Sequence, residues 1–235
     1  APAEADTAIT AYLAIVPDDV LGEKVQADIM LRKGNAAGAA EVLEKVTAQA
    51  PEDFQALTML GQAYMQSRRP QQAVDAFERA QKLAPDNPQV LRGLALNQIA
   101  TGQSAAGEAD LEKALQLAPD DVPSAEALIL VYMRGRQFDK AKALIDDQRK
   151  RRPNDPVPAN LAGMLEVAQG HTAEARTAYE AVVKQFPDFI PAKLQLAGIA
   201  LTSGDTDKAR DILQGILAKD ATSLQGLANL SALFE

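Results

Sequence analysis

The chain's one histidine, His171, lies in Gln169-Gly170-His171-Thr172, where glycine and short polar residues read as a turn between helices. Imidazole can act as a base or metal ligand, but each role needs a second group converging on it. The chain has no Cys and no other His, so neither a nucleophile–base pair nor a His/Cys metal cluster can be assembled. His171 therefore reads as a solvated turn residue. The carboxylates Asp18-Asp19, Asp120-Asp121 and Asp146-Asp147 are adjacent pairs, which diverge on a helix or lie in turns. Gln169-Gly170-His171-Thr172 and Ser203-Gly204-Asp205-Thr206 are not phosphate loops, because no strand precedes them and no Gly-Lys-Ser/Thr follows. The expectation is a non-enzyme with no catalytic residues, no metal and no cofactor.

The run Arg149-Lys150-Arg151-Arg152 is the strongest charge signal. At the end of a helix, cations meet the negative pole of the backbone dipole, so capping is the first reading. An anionic partner, such as a polysaccharide or lipid headgroup, is the second. The net charge of -8 argues against a general nucleic-acid or anionic-membrane binder, which needs a surplus of Lys and Arg. Charge is uneven, however: residues 1–53 hold ten acidic and four basic residues, whereas 134–152 hold eight basic and three acidic. No apolar run approaches the ~20 residues of a membrane span. The start Ala1-Pro2-Ala3-Glu4 carries no signal-peptide pattern and reads as a mature or trimmed beginning. A cysteine-free chain suits either redox compartment.

What must position these residues is a repeat. Pro17, Pro51, Pro85, Pro119, Pro153 and Pro187 are each 34 positions apart. Ending each repeat two residues after its proline gives 20–53, 54–87, 88–121, 122–155, 156–189 and 190–223, with partial repeats 1–19 and 224–235. The eighth residue is small in five repeats (Ala27, Gly61, Ala95, Gly163, Ala197), and the twentieth is small in all six (Ala39, Ala73, Gly107, Ala141, Ala175, Ala209). Such positions predict close helix contacts, and Ile129, the eighth residue of the fourth repeat, predicts a wider spacing. Larger residues, including Leu43, Phe77, Leu111, Ile145, Tyr179 and Leu213, occupy the twenty-fourth position as a core stripe. Gly34, Gly102, Gly170 and Gly204 sit fifteenth, where a helix end needs a left-handed residue, and Asn87-Pro88 and Asp155-Pro156 read as N-cap plus first-turn proline.

This pattern resembles the tetratricopeptide repeat (TPR) family along essentially the whole chain, most clearly in 54–87 through Leu60, Gly61, Tyr64, Ala73, Phe77, Ala80 and Pro85. The resemblance implies an all-α fold, a right-handed superhelical solenoid of antiparallel helix pairs forming one array over 1–235. The family's aromatic fourth position is Leu57, Leu91, Ala125, Ala159 or Lys193 here, which implies thinner interfaces. Repeats 122–189 are similar to TPR-repeat lipoproteins of bacterial exosortase (PEP-CTERM) exopolysaccharide systems. The similar segments are Tyr132-Met133-Arg134-Gly135-Arg136-Gln137-Phe138-Asp139-Lys140-Ala141 and Phe186-Pro187-Asp188-Phe189-Ile190-Pro191-Ala192. That sub-family implies a longer array and a periplasmic or outer-membrane-associated scaffold; without it, the cytoplasm serves equally.

In such an array the first helix of each repeat lines a concave groove through its second, fifth, ninth, twelfth and thirteenth positions. The first three repeats place Lys24, Asp28, Arg32, Gln62, Met65, Arg92 and Leu96 there, a mixed and polar set. The later ones place Leu130, Met133, Arg134, Asn160, Met164, Val167, Leu194 and Leu201, a more apolar set. An apolar groove with Met suits an amphipathic helix or extended peptide. A carboxylate clamp is unfavoured, since Asp28 beside Lys24 would repel a terminal carboxylate, and Asn97, Asn160 and Asn229 do not share a register as an asparagine ladder would.

The expected partner is therefore a protein or peptide, with neither nucleic acid nor a membrane span. Self-association is the rival, because Leu224, Leu227, Leu230, Leu233 and Phe234 leave an apolar stripe in the last partial repeat. A carbohydrate-binding module is the third reading, disfavoured by the absence of Trp and the presence of only four Tyr.

Overall fold

A computed structural model describes residues 2–218. The described residues form thirteen helices and no strand: α1 Pro2–Ile15, α2 Val20–Arg32, α3 Ala36–Gln49, α4 Phe54–Gln66, α5 Pro70–Leu83, α6 Pro88–Ala100, α7 Ser104–Leu117, α8 Val122–Arg134, α9 Phe138–Arg151, α10 Pro156–Gln169, α11 Thr172–Gln185, α12 Ile190–Thr202 and α13 Thr206–Leu217. From α2 to α12 every even-numbered helix opens on the first residue of a 34-residue repeat, and the helix after it opens sixteen residues later. The apolar stripe at 224–235, proposed above for self-association, lies outside the described residues.

Local chemistry explains where the helices start. Asp19, Asn35, Asp53, Asn87, Asp155 and Asp205 each accept, through the side chain, a hydrogen bond from a first-turn backbone N–H. Proline occupies the first turn of α5, α6, α10 and α12, where no N–H is needed. The turns inside the hairpins need one left-handed residue. Gly34, Gly102, Gly170 and Gly204 supply it with φ of 79°, 88°, 86° and 76°. In the second and fourth repeats the same place is held by Arg68 (φ 60°) and Arg136 (φ 56°), without the steric freedom of glycine.

The contacts of the described residues fall into two compact units that divide between Leu128 and Ile129. In the first, α2 pairs with α3, α4 with α5 and α6 with α7, while α3 packs on α4 and α5 on α6. Its core is small and aliphatic: Ala39, Leu43, Val46, Leu57, Ala73, Ala80 and Val90 are buried together. Phe77 is an aromatic wedge within it. A Cβ added to Gly61 would lie 2.7 Å from the Phe77 ring, and one added to Gly93 would lie 2.5 Å from it. The two glycines of α4 and α6 therefore form the slot that admits this ring from α5.

In the second unit α10 pairs with α11 and α12 with α13, with α9 against α10 and α11 against α12. Ala175, Tyr179, Val182, Ala192 and Leu196 form one core cluster, and Ala197, Leu213 and Ile216 another. Gly163 takes up the Tyr179 ring much as Gly61 takes up Phe77. Ile129, for which a wider helix spacing is expected, is fully buried.

Candidate functional site

The fifth and thirty-fourth positions of the repeat meet. Lys24 on α2 places Nζ 2.7 Å from Oδ2 of Asp53, the residue that caps α4. Arg92 on α6 repeats the contact one repeat pair later, with Nη1 2.7 Å from both carboxylate oxygens of Asp121, the residue before α8. Ser124 donates to that carboxylate as well. Burial tends to raise the Asp53 carboxyl, but hydrogen bonds from Lys24 and Ala56 and the Lys24 charge outweigh it and hold the pKa below 3.8. Asp121 behaves alike: burial raises it, and Ser124 and Arg92 bring it below the ordinary value.

Lys24 and Arg92 are thus committed to ties between repeats as well as facing the expected groove. A Lys24 ammonium engaged by Asp53 is a poor receiver for a ligand carboxylate, which adds to the argument against a carboxylate clamp. Asp28 pairs with Arg32 one turn on, at 2.8 Å, on an exposed surface.

Between α2 and α4 the structure brings the expected groove residues of the first two repeats into two adjoining clefts. One, of about 170 Å³, is lined by Leu21, Lys24, Val25, Asp28, Gln55 and Met59. The other, of about 290 Å³, is lined by Asp28, Leu31, Arg32, Met59, Gln62 and Gln66. Val25 and Met59 escaped the sequence reading. Both occupy the sixth repeat position, and the alignment of the two repeats could have flagged them.

The expected contrast between a polar early face and an apolar late one needs correction. Large apolar side chains left exposed include Leu21, Val25, Met65 and Leu96 in the first unit, and Leu130 and Val167 in the second. Several other later residues are drawn inward instead. Met133 is 9% exposed and Asn160 7%, Met164 packs on the Tyr179 cluster, and Leu194 packs on the Leu213 cluster. Leu201 is half-buried, whereas Arg134 is exposed. The reason is packing: a Met or Leu side chain gains more by covering its neighbour than by facing water.

The basic run also separates. Arg149, Lys150 and Arg152 line a cleft of about 420 Å³ with Asp146, Pro153, Asp155, Ala159, Gln185 and Phe186. Arg151 is absent from that lining and places Nε 2.8 Å from Asp147. His171 Nδ1 lies 2.9 Å from Glu166 Oε2 on an exposed turn. Among the described residues no group of three or more His, Asp and Glu side chains is placed to hold a metal ion, and no helix is long and apolar enough to cross a membrane.

An all-α succession of helical hairpins with a fixed 34-residue step defines a helical-repeat protein. Models of the tetratricopeptide repeat match residues 25–88, 98–165 and 166–233, and the chain belongs to the tetratricopeptide repeat family. Members of that family act generally as non-catalytic scaffolds that bind protein partners. No curated protein matches the chain in sequence.

Solved structures are similar in fold. A tetratricopeptide repeat protein from Parabacteroides merdae ATCC 43184 has a TM-score of 0.82 at 14% identity, covering 100% of this chain and 93% of that one. PilW, a type IV pilus biogenesis factor, has a TM-score of 0.72 at 15% identity, covering 93% and 99%. YrrB, described as a TPR protein with an unusual peptide-binding site, has a TM-score of 0.54 at 17% identity, covering 80% and 97%.

Proposed function

We propose that the chain is a non-catalytic scaffold that holds a peptide or helix of a partner protein against its first helices, with the ligand seated over α2 and α4. The pair of adjoining clefts sharing Asp28 and Met59 carries this reading. Together they offer an apolar floor from Leu21, Val25 and Met59, a charged pair from Asp28 and Arg32, and side-chain amides from Gln55, Gln62 and Gln66. That combination suits a segment with alternating apolar and polar side chains. Each Å² of apolar surface covered contributes about 25 cal/mol, and the amides can pair with a ligand backbone. YrrB, a TPR protein with an unusual peptide-binding site, is a parallel within the same fold.

The unbroken step from Pro17 to Pro187 supports reading the chain as one array. The segments Tyr132–Ala141 and Phe186–Ala192 support a setting in bacterial exopolysaccharide export, periplasmic or outer-membrane-associated and lipoprotein-linked. Deletion of the encoding gene followed by measurement of secreted polysaccharide tests that setting; unchanged secretion rejects it.

The site itself is tested with a benzophenone amino acid at Gln62, which is exposed. Photocrosslinking in the native cell should trap a discrete partner, and the added substitutions Leu21→Glu and Val25→Glu, both at exposed cleft residues, should abolish that product while leaving the fold intact. Retention of the same crosslink by the substituted protein would overturn the placement.

A further inference from the structure

The cleft at the end of α9 is built from departures from the repeat. At the twenty-seventh position the other five repeats carry Val46, Ala80, Ala114, Val182 and Ile216, all buried and apolar, but the fourth carries Gln148, buried to 3% exposure. Its Oε1 accepts a hydrogen bond from Arg152 Nη2 at 3.0 Å, and Arg152 Nη1 reaches Asp155 Oδ2 at 2.5 Å. At the position of Arg152, which ends α9, the three preceding repeats close their second helices with Ala50, Ala84 and Ala118. A cation is therefore not needed to end this helix, and the capping explanation of the basic run loses its force.

At the position of Arg149 stand Thr47, Gln81, Leu115 and Val183, none of them charged. Arg149 and Lys150 are exposed, and they form no ion pair or hydrogen bond among the described residues, whereas Asp146 is paired with Lys142 and Asp155 with Arg152. The two carboxylates of the cleft are thus already matched, and two cations remain to be matched. Phe186, half-buried at the position that is Ala in the first three repeats, supplies an apolar wall with Ala159 and Pro153.

We propose that this cleft is a second binding site, for a short acidic segment of a protein partner in which one or two Asp or Glu side chains flank an apolar side chain. The Arg149 guanidinium offers a planar fork that matches a carboxylate, Lys150 adds a mobile charge, and the apolar residue lies against Phe186. A long polyanion is disfavoured by the chain's net charge of -8.

The test is fluorescence anisotropy of the full chain with a labelled 10-residue peptide of Asp, Glu and Leu, against a matched peptide of Asn, Gln and Leu. The acidic peptide should bind saturably and the amide peptide at least tenfold more weakly. Arg149→Gln with Lys150→Gln should weaken the acidic peptide at least tenfold with an unchanged thermal midpoint, while Arg151→Gln leaves binding as it was. The substitutions Leu21→Glu and Val25→Glu in the first site should also leave it unchanged, which separates this site from the first. Equal binding of the two peptides, or full binding by the double variant, overturns the proposal. So does saturable binding of fluorescein-labelled heparin by a protein that ignores the acidic peptide, which would assign the cleft to sulfate groups.

Discussion

Lys24 on α2 and Asp53 at the start of α4 are joined at 2.7 Å, with side chains only 14% and 18% exposed. One carboxylate thereby caps a helix and ties it to the preceding hairpin. The array is stitched twice in this way, since Arg92 and Asp121 form the equivalent pair. Burying a pair has a solvation cost, so its value lies as much in fixing the register of adjacent hairpins as in net stability.

Acid should loosen these stitches. The Asp53 and Asp121 carboxyls are held below their ordinary 3.8. A carboxyl depressed in the folded state contributes stability that is fully present above the unfolded value and is lost as pH falls through the folded value. Asp53→Asn keeps a side chain able to cap α4 but removes the charge. The variant should be less stable by roughly 0.5–1 kcal/mol at pH 7. In urea titrations followed by circular dichroism, its deficit should shrink as pH falls below about 4; a deficit independent of pH would rule out the ion pair as its source.

The two arginines in the left-handed turn position are a conformational cost. Arg68→Gly removes a side chain from φ 60°, and that arginine is exposed. It should raise stability by about 0.5–1 kcal/mol, while Gly102→Ala, at φ 88°, should lower it by a similar amount. Thermal melts of the two variants should move in opposite directions.

The slot around Phe77 predicts an over-packing penalty. Gly93→Ala puts a methyl 2.5 Å from the ring, so one or the other must shift. A loss of about 1–3 kcal/mol is expected, and Phe77→Leu in the same chain should recover part of it. Equal destabilisation with and without the smaller partner would mean the two residues do not compete for space.

Tyr179 is fully buried, and its hydroxyl has no hydrogen-bond partner among the described residues; burial pushes its pKa up to about 12. Tyr179→Phe removes an uncompensated polar atom and keeps the ring against Gly163. Stability should hold or rise by up to about 1 kcal/mol. Tyr64, whose hydroxyl donates to Glu44 at 2.7 Å, is the control, and Tyr64→Phe should be the less stable variant of the two.

Much of this architecture was readable before any coordinates. A 34-residue step shows itself through Pro17, Pro51 and their successors, because each stacked unit must place its helix ends, caps and small contact residues at the same distance along the chain. Helix starts at Val20, Phe54, Pro88, Val122, Pro156 and Ile190 follow from that step, reinforced at Val20, Phe54, Pro88 and Pro156 by capping from the preceding Asp or Asn, both properties of residues near in sequence. The left-handed glycines were legible for the same reason; Arg68 and Arg136 were legible only by register, since their side chains argue against the conformation they adopt.

What only the tertiary structure decided was which face each side chain serves. Position in the repeat could name Lys24, Met133 and Asn160 as groove candidates. Whether they meet a ligand or a neighbouring helix depends on residues 29 or more positions away for Lys24, and on tight local packing for the other two. Likewise Arg149-Lys150-Arg151-Arg152 is one continuous run in the chain, yet successive residues on a helix diverge by about 100°. Helical geometry sends Arg151 toward Asp147 and leaves Arg149 and Lys150 facing a cleft completed by Gln185 and Phe186 from the following hairpin.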